Sequence, residues 1–227
     1  MNSVSWKQVT GWSGVAFVVT FLVMVVFAGG SGPVLADSAA DVREFFEDEE
    51  AAVALSTWGA ALAFLLFFLL FASGLRSLLG PADAPNEGVW SRLSFAGAVA
   101  TVAIGGAGSA FWAVLGQEDV LAAASDETVK TLAAFDSVVF TAILPWGMAV
   151  FLLGASVVIL QSEVMAKWLG WLGLLVTLLF VIGTLWPFTG DDESFLGLLV
   201  FIGFIGFLIW TLGAAISMIR SDSHSVS

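Results

Sequence analysis

Asp136 is the acid nearest to an apolar core in this chain, and a carboxyl inside a membrane is a functional candidate because its burial is costly. Further along the same stretch, Pro145 has no amide proton for the carbonyl of Thr141, and its ring crowds that oxygen. Either a static bend follows, which membrane helices tolerate, or a hinge with a polar contact at Thr141. Counting outward from Leu160, about 20 residues reach Thr141 and leave Asp136 about 7 Å further out, in the outer headgroup layer. Asp136 is therefore expected as an interfacial acid, or as a proton or cation site in an outer vestibule.

Other chemistry is sparse. The sole histidine is His224 and there is no cysteine, which removes HExxH metalloproteases, Ser-His proteases and thiolate chemistry. An intramembrane aspartyl protease needs two facing acids, and only Asp136 is near. The run Glu47 to Glu50 points in different directions on a helix and makes a poor cation cage, so a solvated face is expected. No cofactor or metal site is expected. A net charge of −12 and a pI near 4.1 argue against nucleic acid as a partner.

The elements that hold these residues are membrane helices. With 59% hydrophobic residues, 11% charged residues and a mean hydropathy of +1.00, the chain suits a bilayer and not a globular surface. Apolar stretches cover about 9–29, 51–74, 93–114, 138–160, 168–188 and 195–219, each near or above the roughly 20 residues that cross about 30 Å of hydrocarbon. None alternates apolar with polar as a barrel strand would. The expected fold is all-α: a polytopic six-transmembrane-helix bundle in one domain, residues 1–220, with a short tail at 221–227. The first stretch has a basic flank and a small-residue pattern at Val34-Leu35-Ala36 resembling a signal-peptidase site, but it exceeds the usual h-region and is expected as an uncleaved anchor.

Charge fixes the expected direction of the spans. With the N-terminus inside, Lys7, Arg76, Arg92, Lys167 and Arg220 are cytoplasmic against Arg43 and Lys130 outside, so both termini are expected in the cytoplasm. Acids crowd the opposite connections. Trp6, Trp12, Trp90, Trp168 and Trp171 fall near inner ends and Trp112 and Trp186 near outer ends, as indoles at headgroup level do. Trp58, Trp146 and Trp210 are expected deeper, packed between helices. Gly97, Thr101, Gly105 and Ser109 recur every four residues as a stripe on the third span; such small residues allow close helix approach, which places that span centrally, although a smooth stripe can also line a path.

Between the first two spans, Asp37 or Ser38 can cap a helix over 39–50 running into the second span. With Val42, Phe45 and Phe46 on one side, it is either an amphipathic lid on the membrane surface or an acid-rich extension of the second span. The connection 78–89, with Gly80-Pro81 and Ala84-Pro85-Asn86, reads as a plain loop, and 117–127 as a similar polar one.

The segment 38–76, an acidic amphipathic piece leading into an apolar helix that ends Ser73-Gly74-Leu75-Arg76, resembles the uncharacterised bacterial DUF4386-type integral membrane proteins. So does Lys167-Trp168-Leu169-Gly170-Trp171-Leu172-Gly173 at the start of the fifth span, although that family often has a proline where this chain has Ala166. The resemblance implies a multi-helix membrane fold and no established activity. Together these readings lead to a multi-pass protein of the plasma membrane, first as a non-enzymatic scaffold or partner-binding component and alternatively as a small transporter or channel for a cation, proton or small solute. Expected partners are the lipid bilayer and either a second copy or another membrane protein.

Overall fold

Long apolar stretches become helices because only a helix satisfies its own backbone groups in hydrocarbon. The computed structural model describes residues 5–27, 37–188 and 195–223, and no strand occurs among them. Six helical stretches are long and apolar enough to cross a membrane: Trp6–Val26, Ala51–Ala82, Val89–Leu115, Asp126–Gln161, Lys167–Phe188 and Phe195–Ser221. Several outrun the apolar stretches of the sequence, since hydropathy marks the lipid-length part of a helix and not its polar ends.

The elements within them are α1 (Trp6–Phe27), α2 (Ala39–Asp48), α3 (Glu50–Ala60), a π-helical stretch Ala61–Phe68, α4 (Leu69–Ala82), α5 (Val89–Leu115), α6 (Glu118–Ala123), α7 (Asp126–Val138), a second π stretch Val139–Ile143, α8 (Leu144–Gln161), α9 (Lys167–Gly183) and α10 (Phe195–Ser223). Consecutive spans pack side by side and the sixth returns to the first, so six helices close into a ring. Its centre is filled by rings: Phe17 lies 5.1 Å from Phe68, Phe68 lies 5.3 Å from Phe151 and 5.6 Å from Phe207, and Phe151 lies 5.5 Å from Trp210. All five side chains are fully buried. Such tilted or edge-on pairs contribute about 0.5–1.5 kcal/mol each beyond burial. They plug the middle of the ring.

Enclosure is greatest in the fourth span, where 67% of the apolar window is buried against 33% in the third. The third span is thus a ring member, not the central helix its stripe suggests. That stripe serves one contact. A side chain at Gly97 would collide with the backbone of Phe151 and Gly147 on α8, and one at Gly147 would meet Thr101 Oγ1 at 2.6 Å. Small residues on both helices bring α5 and α8 together without a hydrophobic drive. Of the three deep tryptophans, Trp210 is fully buried and donates from Nε1 to Leu169 O at 2.8 Å. Trp58 and Trp146 instead face outward, 77% and 48% exposed, because lipid accepts an indole as readily as a protein interior does.

The connections carry more structure than turn residues suggest. In the 78–89 stretch α4 persists to Ala82 with Pro81 inside its last turn, a 3-10 turn follows at Ala84–Asn86, and buried Asp83 accepts from Ser91 N at 2.8 Å and Asn86 Nδ2 at 3.1 Å. One carboxylate thereby ties the second span to the start of the third. The 117–127 connection likewise holds α6 and the start of α7, which Ser125 caps.

At the acidic end α2 is a helix in its own right and not an extension of α3, for the chain breaks at Glu49 (φ −113°, ψ 34°). Ser38 and Asp41 form its reciprocal capping box. The hydroxyl and backbone amide of Ser38 hold the Asp41 carboxyl below its usual range. Its apolar side faces the protein: Val42 and Phe46 are buried with Leu115, Leu121 and Val129. Arg43 donates to the carbonyls of Leu121 and Ala124 and pairs with Asp126 at 3.2 Å. These contacts clamp α2 onto α6 and α7.

Candidate functional site

Above the aromatic plug, on the acidic side, the interior of the ring is not filled. A cavity of about 350 Å³ lies between α1, the second, third and fourth spans and α10, walled by Phe21, Met24, Val25, Ala60, Phe64, Trp112, Phe140, Leu144, Phe201 and Phe204, with Ser56, Thr57, Ser109 and Asp136. Among the described residues, no Lys, Arg or His lines it. The volume lies within the roughly 300–1,000 Å³ of small-molecule sites.

Asp136 comes to this wall because α7 continues the fourth span beyond the apolar window. Its Oδ1 is enclosed and has no hydrogen-bond partner among the described residues. Trp112 Nε1 is likewise buried without a partner. Two residues of this largely apolar wall thus each carry a buried polar atom with no partner among the described residues. Its three hydroxyls are engaged with their own helices: Ser56 donates to Ala52 O at 2.7 Å, Thr57 to Val53 O at 3.0 Å and Ser109 to Gly105 O at 2.9 Å. Trp112 also stacks against Phe46 at 4.9 Å and Phe45 at 5.6 Å, so the indole lies between the cavity and α2.

Both π stretches contribute to the wall, Phe64 from the first and Phe140 from the second. A π stretch carries a rare i→i+5 register, and such stretches are frequent at functional sites. In the fourth span the π stretch ends where Pro145 enters the first turn of α8, a position that tolerates its missing amide proton.

Of the residues singled out from the sequence, Asp136 and Ser109 meet at the cavity. Thr141 does not line it, and its hydroxyl donates to Ser137 O at 2.6 Å. Pro145 is buried in α8, Gly97 and Thr101 lie in the α5–α8 contact, and Gly105 sits 3.5 Å short of Leu144 if given a side chain. The stripe is thus packing at one end and cavity wall at the other. Phe21, Phe64, Phe140 and Phe204 carry no sequence signal, since phenylalanine on a membrane helix reads alike in a core, against lipid or around a ligand. Trp112 reads from sequence as an interfacial anchor.

No metal-binding group of three or more His, Asp or Glu occurs among the described residues. No family model matches the chain, and no curated protein or solved structure is significantly similar to it. The chain is a helical protein with six stretches fit to cross a membrane.

Proposed function

We propose that this chain is a small-solute transporter of the plasma membrane, with its substrate site in the Asp136 cavity and both termini in the cytoplasm. One observation carries the reading: Asp136, whose enclosed Oδ1 has no partner among the described residues, lines a ligand-sized cavity walled by five of the six spans. A protein built only to hold a partner has no use for so costly a group there. The plug of Phe17, Phe68, Phe151 and Phe207 closes one side, as a single gate of an alternating-access protein would, and both π stretches lie in the cavity wall.

The distribution of Lys and Arg supports the orientation, and the segment 38–76 with the start of the fifth span supports kinship with DUF4386-type proteins. A partner-binding scaffold is the second reading, favoured by the outward Trp58, which offers an indole to a neighbouring helix. Purified protein in sealed vesicles tests the first: pH- or cation-dependent flux is expected from the wild type and its loss from Asp136→Asn. Equal flux from both proteins, or none from either, sinks the assignment.

A further inference from the structure

The cavity has a neighbour. A crevice of about 190 Å³ runs between the second and third spans, and it shares Thr57, Ala60, Phe64 and Ser109 with the Asp136 cavity. Part of its remaining wall faces outward: Ala61, Leu65, Gly106 and Ala110 are exposed, while Val102 and Gly105 are buried at its back. A side chain at Gly106 would meet nothing within 4 Å, so no packing contact requires glycine there. The crevice therefore adjoins the Asp136 cavity from the side of the bundle.

The chemistry at its end is selective. Aromatic rings attract cations through their faces, and Asp136 is the one ionisable side chain of the described lining. Bare inorganic cations lack the oxygen cage they need here, since the three hydroxyls are turned to their own helices and a single carboxyl remains. An organic cation needs no cage, and its apolar body fills the rest of the wall. The geometry points to a hydrophobic organic monocation as the ligand, entering laterally from the bilayer between the second and third spans and pairing with Asp136. This inference rests on the assignment of the cavity as a substrate site.

Phenyltrimethylammonium and its neutral isostere tert-butylbenzene differ only in charge and serve as probes, with protein in nanodiscs of zwitterionic lipid and empty nanodiscs subtracted. Wild type should bind the cation about tenfold or more tightly than the neutral compound, and Asp136→Asn should erase that preference while still binding the neutral one. Equal binding of the two probes, or a preference that survives Asp136→Asn, overturns the ligand class and leaves the cavity as a binding site. Binding of neither removes the substrate site itself. Gly106→Leu fills the crevice at a position with open space; slower association and dissociation of the cation at unchanged affinity support lateral entry, and unchanged rates overturn it.

Discussion

Gly97 and Gly106 share one helix and have opposite surroundings. At Gly97 a methyl group has no room, because the obstacle is the backbone of α8 and not a side chain that can turn aside. Gly97→Ala should therefore force the third and fourth spans apart and destabilise the protein by about 1–3 kcal/mol, as overpacking in a tight contact does. Gly106→Ala meets open space and should leave stability unchanged or raise it by up to about 1 kcal/mol, through the better helix propensity of alanine. Unfolding midpoints of the two variants in one detergent check this, and coincident midpoints would contradict the close-approach account. The stripe that is uniform in sequence is thus not uniform in consequence, since spacing identifies a helix face but not its neighbour. Asp136 shows the same limit: its residue type is legible as costly, while its enclosure depends on walls from five spans.

Elements were legible in proportion to their apolar length. All six spans follow from hydropathy, and Ser38 announces the start of α2 because a capping serine with an acid three residues on has a local cause. What α2 packs against has none, because Val42 and Phe46 suit a membrane surface as well as a protein one. The π stretch Ala61–Phe68 is equally silent, an unbroken apolar run with no proline. Arg43 decides how firmly α2 is held: its guanidinium serves two carbonyls and one carboxylate in a single planar fork. Arg43→Ala should release α2 from α6, weakening that contact by about 1–3 kcal/mol, and Arg43→Lys should not restore it because an ammonium lacks the fork. Hydrogen exchange of the 39–48 amides reads the outcome. Faster exchange in both variants with the spans unaffected is expected; exchange as slow as wild type would show that Phe46 and Val42 hold α2 alone.

At the scale of the whole molecule, a ring with an aromatic plug divides the chain into an acidic half that holds the Asp136 cavity and a basic half in which Asp83 ties the second span to the third. This division gives the charge asymmetry a functional meaning only if the acidic half faces outward. Lys and Arg in short connections resist translocation, and the connection at Ala84 lies between Arg76 and Arg92, whereas Glu127 lies among acids. The chain has no cysteine, so each single-cysteine variant reports one position without background. Ala84 and Glu127 are both exposed, at opposite ends of the ring. On intact cells a membrane-impermeant maleimide should label Glu127→Cys directly and Ala84→Cys only after permeabilisation. The reverse pattern would place the Asp136 cavity towards the cytoplasm. Labelling of neither variant on intact cells, with both labelled after permeabilisation, would instead move the protein to an internal membrane.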